Sequence, residues 1–321
     1  MEFIESYKTT VLNAIEAFKK NNKSTDLYQP INYILSLGGK RMRPILTLMA
    51  TDLFDGDTDN AINAALAVEV FHNFTLLHDD IMDNAPLRRG KATVHEKWDI
   101  NSAILSGDAM LVQAYQLLSN SNNVTKLLPV FNKAAIEVCE GQQDDMAFET
   151  REDVSLDEYI EMITNKTSVL LGAALQMGAI EANASDEEAQ HLYEFGKNIG
   201  IAFQIQDDIL DAYGDADKFG KQVGGDIIAN KKTYLLITAN NKSNDVEQED
   251  LQEALAICNT EAKVEAVKSM FNHLGVRQDA EKAMDYYFNL AIENLNQITS
   301  VSDEKKQPLL GLADYLIKRE E

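Results

Sequence analysis

Basic residues are scarce in this chain. Against 52 aspartates and glutamates stand 29 lysines and arginines, for a net charge of −23 at pH 7. That balance excludes the broad basic surface a nucleic-acid partner requires. Cysteine is scarcer still: Cys139 and Cys258 are the only two. Their contexts are unrelated and their spacing is unlike a metal site, so they read as buried free thiols of a reducing, cytoplasmic compartment. Only five prolines occur, no alternating apolar run is long enough for a sheet, and no repeat period appears beyond one doubled acidic motif. The longest apolar stretch, residues 168–180, contains Gln176 and is too short to span a bilayer. Met1-Glu2-Phe3-Ile4-Glu5 has no basic segment ahead of an apolar one, so no secretory signal is expected.

What the chain has in quantity is helical periodicity. Phe3, Tyr7, Val11, Ile15 and Phe18 form one apolar stripe near the start, and Val264, Val267, Phe271 and Leu274 another near the end. The pattern predicts helices over residues 2–20, 27–37, 44–54, 60–83, 101–119, 124–149, 155–182, 186–213, 233–241, 245–257, 260–273, 276–298 and 303–318. The fold class is all-α. Hydrophobic residues make up 45% of the 321, enough for a large core, and no linker-like stretch interrupts them. Residues 1–321 therefore read as a single domain.

Two short stretches organise the rest: Asp79-Asp80-Ile81-Met82-Asp83, and its later echo Asp207-Asp208-Ile209-Leu210-Asp211. Each follows apolar helix-period sequence and precedes a helix breaker, Pro86 or Gly214, so each sits in the last turn of a buried helix. Stepping back by threes and fours from Asp83 gives Asp79, Thr75 with Leu76, and His72; from Asp211 it gives Asp207, then Phe203 with Gln204. Negative charge at a helix C-terminus opposes the helix dipole, and crowded carboxylates repel one another. A divalent metal resolves that conflict. Mg²⁺ suits these hard oxygen donors, because it is commonly shared between one or two carboxylates and the phosphates of a substrate. A solvated acidic helix face is the bland alternative for one copy; two copies of identical spacing in apolar surroundings favour function.

The few basic residues cluster in loops: Gly38-Gly39-Lys40-Arg41-Met42-Arg43-Pro44, Pro86-Leu87-Arg88-Arg89-Gly90-Lys91, and the run from Gly220-Lys221 to Lys231-Lys232-Thr233. A flexible glycine pair followed by cations at a helix start is a plausible phosphate seat, with a routine basic cap as the alternative. Arg88 and Arg89 follow the first Asp cluster directly, within reach of any anion held there.

Taken together, these residues resemble the trans-isoprenyl diphosphate synthases, the polyprenyl synthetase family. The likeness covers essentially the whole chain: residues 38–44, Leu-Leu-His-Asp-Asp-Ile-Met-Asp at 76–83, Arg88-Arg89-Gly90, Gly141-Gln142 with Asp145, Lys166-Thr167, Phe203 through Asp211, and Lys221 with Lys231. It implies the isoprenoid synthase type I fold, a bundle of long helices around a central cavity, usually a homodimer. It also implies a Mg²⁺-dependent prenyltransferase that joins isopentenyl diphosphate head to tail with dimethylallyl, geranyl or farnesyl diphosphate.

Carried over residue by residue, the likeness gives Asp79, Asp80, Asp83, Asp207, Asp208 and Asp211 the role of holding Mg²⁺, three ions per active site with substrate bound, on the allylic diphosphate. Arg88, Lys166 and Lys221 would bind that diphosphate, and Lys40, Arg43, His72 and Arg89 that of isopentenyl diphosphate. Thr167 and Gln204, neutral oxygen bearers below the acids, would stabilise the allylic cation together with Lys166. Lys231 and the 214–232 loop are candidates for a lid. For His72 the alternative is a satisfied core histidine.

Product length in this family depends on the cavity depth beneath the first Asp cluster. Phe74 and Thr75 stand five and four residues before Asp79, and a ring there favours C15 or C20 over longer products. Rivals from other classes are a class I terpene cyclase, a noncatalytic subunit of a heteromeric synthase and a purely structural acidic bundle. Each predicts the loss of an Asp motif or leaves the basic loops unexplained, and this chain keeps both motifs and all six acids.

Overall fold

The computed structural model describes residues 2–214 and 224–318, without the side chains of Glu2, Phe3 and Lys318. Among the described residues the only strands are a two-stranded hairpin, and the all-α expectation is met. The long helices are α1 (Glu2–Asn21), α2 (Tyr28–Ser36), α3 (Met42–Leu53), α4 (Thr58–Met82), α6 (Ile100–Ser119), α7 (Val124–Phe148), α8 (Leu156–Ile163), α9 (Val169–Glu181) and α10 (Asp186–Tyr213). After them come α12 (Tyr234–Lys242), α13 (Asp245–Leu255), α14 (Thr260–His273), α15 (Val276–Gln297) and α16 (Asp303–Lys318), with short α5 (Val94–Lys97) and α11 (Gly225–Ile228) between.

Helix ends follow the side chains that can satisfy the free backbone groups of a first turn. Asp57 accepts the N–H of Asp59 ahead of α4, and Thr233 accepts that of Leu236 ahead of α12. Ser155 with Glu158 and Asn244 with Glu247 form full capping boxes ahead of α8 and α13. Pro44 lies in the first turn of α3, where no N–H is needed from it, so that helix starts at Met42 rather than 44.

The chain divides into two compact units. The first comprises Met1–Ala135, Leu170–Tyr193 and Gln297–Pro308; the second comprises Ile136–Val169, Glu194–Asn296 and Leu309–Glu321. In the first, α4 packs on α3 and α6. Alanines 61, 64, 65 and 67, with Val68, Val70, Phe71 and Leu77, bury α4 on all sides, which is why that helix is apolar all round. Phe71, Phe131, Met110 and Leu118 fill its core. Val11 and Ile15 of the expected first stripe are buried as well. In the second unit Ile201, Ile205 and Ile209 of α10 pack with Leu235, Leu251, Val267 and Phe271.

Two sequence expectations are corrected. Residues 155–182 are not one α-helix: a π-turn, Thr164–Ser168, separates α8 from α9. Ser168 Oγ donates to the Ile163 carbonyl at 3.2 Å within it. One extra residue shifts the helical phase by about 100°, but α9 is buried and apolar on all sides, so it has no stripe from which that shift could be read. Neither cysteine is buried: Cys139 faces solvent from α7, and Cys258 is exposed in the turn between α13 and α14.

Candidate active site

The first Asp motif closes α4. Asp79 and Asp80 lie in its last turn, and Asp83 is the C-cap, its N–H bonded to the Asp79 carbonyl at 2.8 Å. Asp80, a helical step of about 100° from Asp79, turns inward and is 2% exposed. Arg88 meets it there, with Nε 2.8 and 2.9 Å from the two carboxylate oxygens and Nη2 2.7 Å from Oδ1. Asp79 is half-buried, and Asp83 is exposed.

Arg88 is delivered by the hairpin of β1 (Leu87–Arg88) and β2 (Lys91–Ala92). Its two turn residues, Arg89 and Gly90, have φ of 53° and 73°, the pair of positive values a tight two-residue hairpin turn demands. The hairpin is pinned at its base, where Thr93 Oγ1 donates to the Ala85 carbonyl at 2.8 Å. At the turn the Arg89 guanidinium donates to the carbonyl of Gly38. It lies so close over Gly39 that a Cβ there would stand 2.7 Å from its central carbon. Glycine at 39 is required by its φ of 115°.

Beside it Arg43 Nη1 lies 3.2 Å from His72 Nε2. Burial, followed by the charges of Arg43, Arg89, Arg88 and Arg41, holds the His72 imidazole well below its ordinary pKa, so it is neutral at pH 7. Burial also pushes the Arg43 guanidinium down to about 10, with Arg89 adding to the fall and Glu69 opposing it. Arg89 is shifted down for the same first reason. Arg43 Nε is buried without a partner among the described residues. Crowded cations that depress one another, with an unanswered donor among them, are electrostatically prepared for an anion. Lys40 lies exposed in the same loop. The family resemblance had implied this grouping of Lys40, Arg43, His72 and Arg89.

In the second unit Asp207, Asp208 and Asp211 lie in the last two turns of α10. Asp208 accepts the Tyr159 hydroxyl at 2.6 Å and the Tyr234 N–H at 2.9 Å through the same oxygen. It ties α8 to the start of α12. Burial raises its pKa to about 7, against the lowering effect of the Tyr159 bond. Asp211 accepts the N–H of Asp226 at 3.0 Å, while its carbonyl accepts that of Gly224 at 2.6 Å.

The π-turn carries Lys166 and Thr167. Lys166 Nζ is 2.5 Å from Asp145 Oδ2 of α7. A Cβ on Gly141 would collide with the Lys166 backbone nitrogen, and one on Gly200 would stand 2.7 Å from Ser168 Cα. The turn is therefore clasped by two glycines, and Gly141 is explained by the closeness of the chain at Lys166. Gln204 is half-buried on α10, and Lys231 is exposed. Lys221 lies outside the described residues, as does part of the 214–232 loop. Phe74 is buried, with ring centroids 5.5 Å from Phe71 and 4.7 Å from His78; Thr75 is half-buried.

With this geometry in view, the family relation is decisive. The model of the Polyprenyl synthetase family matches residues 24–274. The chain belongs to the polyprenyl synthetase family. It is 36% identical to a geranylgeranyl diphosphate synthase of Sulfolobus acidocaldarius, over 99% of both chains. To a geranylgeranyl diphosphate synthase of Methanosarcina mazei it is 38% identical, over 99% of this chain and 97% of the other. A crystal structure of a geranylgeranyl pyrophosphate synthase superposes with a TM-score of 0.93 at 47% identity, over 99% of both chains. The resemblance read from the motifs is thus borne out for a polyprenyl synthetase, with its all-helical fold. No helix among the described residues is long and apolar enough to cross a membrane.

Sequence reasoning missed Arg41, Glu69, Asn73, Tyr159 and Asp226. Tyr159 stands in an ordinary amphipathic helix and gives no signal. Glu69 does give one, as the only charge in the apolar run from Ala61 to Leu77.

Proposed function

We propose that this polyprenyl synthetase makes geranylgeranyl diphosphate, the C20 product, by adding isopentenyl diphosphate to allylic diphosphates, and that residues 1–321 act as one catalytic domain. The chain is a trans-prenyltransferase. The observation that carries the reading is the Arg43, His72 and Arg89 cluster, a cationic seat for a diphosphate separate from the carboxylates. A neutral His72 can donate to a phosphate oxygen or accept from Arg43 without adding repulsion. Lys40 extends the seat toward solvent.

Asp79 and Asp83, one turn apart, and Asp207 and Asp211, likewise one turn apart, supply hard anionic oxygens at helix C-termini, a donor set that fits Mg²⁺. Asp80, paired with Arg88, and Asp208, which accepts from the Tyr159 hydroxyl and the Tyr234 N–H, complete the six acids of the two motifs. Mg²⁺, three ions with substrate bound, would supply electrostatic stabilisation of the departing diphosphate. Lys166 and Arg88, with Lys221, neutralise the same leaving group. Thr167 and Gln204 present oxygens that stabilise the allylic cation and cannot trap it as a side-chain nucleophile would. The double bond of isopentenyl diphosphate attacks that cation, and a proton passes to the released diphosphate. Lys231, exposed near the start of α12, would add a further cation for the phosphates. Phe74 and Thr75 form the floor that limits chain growth.

The enzyme acts as a cytoplasmic homodimer. Its exposed apolar stripe on α6, Ile104, Leu105, Val112 and Tyr115, with Leu105 at 60% and Val112 at 58% exposure, supports a second copy as the partner. Light scattering should give twice the 35.8 kDa chain mass, and Leu105→Glu with Val112→Glu should halve it.

The test of the activity is incubation of purified protein with isopentenyl diphosphate, Mg²⁺ and dimethylallyl, geranyl or farnesyl diphosphate in separate reactions, with products sized by mass spectrometry. C20 from all three primers is expected. Cyclised hydrocarbon, or no turnover with any primer, would overturn the assignment.

A further inference from the structure

We infer that Arg41 is a positioning residue: it holds the isopentenyl diphosphate seat in shape from inside the protein, with Glu69 as its buried counter-ion. The inference rests on the function proposed for that seat.

Arg41 stands between Lys40 and Arg43, and by sequence it is one more cation for the same anion. Its side chain goes the other way. It is 5% exposed, with Nη1 2.5 Å from Glu69 Oε1 and Nη2 2.5 Å from the Leu35 carbonyl. The backbone makes this turn possible: Arg41 is the N-cap of α3 in the left-handed region, φ 53° and ψ 35°, a conformation that costs a non-glycine residue about 1 kcal/mol. Reversing the chain there points Lys40 and Arg41 in different directions.

Each bond ties down a different element. Leu35 lies in the last turn of α2, where carbonyls lack helical partners and a cation is favoured. Glu69 lies on α4 and is itself held by Asn73 Nδ2, which donates to its Oε1 at 2.9 Å and to its carbonyl at 2.8 Å. Arg41 therefore joins the end of α2, the start of α3 and the middle of α4. The seat is hung on those same three places. Gly38, just past α2, accepts from Arg89; Arg43 is in the first turn of α3; and His72, which meets Arg43, is one turn beyond Glu69 on α4.

The glutamate also answers a charge problem. Arg89 depresses Arg43, Arg41 and Arg88 depress Arg89, and Glu69 acts in the opposite direction on both Arg43 and Arg89. A guanidinium is needed opposite it, because only a planar fork reaches a carboxylate and a carbonyl on two elements at once, whereas a lysine ammonium is a single point donor.

Steady-state kinetics of Arg41→Lys and of Glu69→Asp, each retaining its charge, test the inference, with KM measured separately for isopentenyl diphosphate and for the allylic diphosphate. For Arg41→Lys the expected result is a rise in KM for isopentenyl diphosphate of about tenfold, the loss of roughly one charge-assisted hydrogen bond. The allylic KM should stay within about twofold, and Glu69→Asp should shift the same constant in the same direction. A fall in melting temperature with both KM values unchanged, or an equal rise in both, would overturn the positioning role. If Arg41→Lys does not fold, Glu69→Asp decides by the same split. A wild-type protein that fails to elongate any primer would instead overturn the proposed function of the seat.

Discussion

Arg88 and Asp80 form a bidentate pair, Nε at 2.8 and 2.9 Å from the two carboxylate oxygens, with the acid 2% exposed. One of the three acids of the first motif is thereby committed to a neighbour, and Asp208 of the second motif is committed in the same sense to Tyr159 and the Tyr234 N–H.

The acids should therefore separate by phenotype. Asp79→Asn and Asp83→Asn should each lower kcat by about a hundredfold or more through lost electrostatic stabilisation, with an unchanged melting temperature. Asp80→Asn leaves Arg88 without its counter-charge and should destabilise the fold by about 3 kcal/mol. Mg²⁺ titrations of activity beside thermal melts read the two effects apart; equal stability loss in all three variants would contradict the division.

Protonation of His72 should limit stability on the acid side. Its folded pKa lies below the unfolded value of about 6.5, depressed first by burial and then by Arg43 and Arg89. A depressed folded pKa means the contribution is full above about pH 6.5 and is lost as pH falls toward the folded value, because the unfolded chain takes up the proton first. Melting temperature should drop more steeply below pH 6.5 in the wild type than in His72→Gln. Identical slopes would show that the imidazole does not carry this linkage.

Product length provides a reading of Phe74. Phe74→Ala removes a buried ring that touches Phe71 and His78, and should extend the product beyond C20 at a stability cost of about 3 kcal/mol. Mass spectrometry of the products checks it. An unchanged product would mean that the floor lies in another layer.

The π-turn predicts a sensitivity at Gly141. Gly141→Ala puts a methyl group against the Lys166 backbone nitrogen, and forced overpacking of this kind costs about 1–3 kcal/mol. Because the displaced residue carries the ammonium paired with Asp145, kcat should fall while KM for isopentenyl diphosphate holds. A variant with normal kcat would uncouple the clasp from catalysis.

Much of this was legible in advance because it is periodic or local. The helical class followed from apolar spacing, and the ends of α4 and α10 from breakers placed after acidic runs. The group formed by 38–43, His72 and Arg89 came from the family resemblance and not from spacing or composition. What stayed hidden depends on the sense in which a residue turns. Arg41 and Arg43 are the same residue type two positions apart, and only the left-handed backbone at Arg41 sends one to Glu69 and leaves the other beside His72. The π-turn escaped because α9 after it is apolar on all sides and hides the phase shift of an extra residue, and the hairpin because two-residue strands carry no alternation to count.

The hairpin turn bears on which changes of length the chain can accept. Arg88 and Arg89 are consecutive, yet one reaches the acid at the end of α4 and the other the carbonyl of Gly38. Side chains in a strand alternate, so adding or deleting a single residue here exchanges the two outlooks. Substitution at either arginine removes one anchor; a one-residue insertion between Leu87 and Gly90 misdirects both. This turn is therefore a fixed spacer, free to vary in some side chains but not in number of residues.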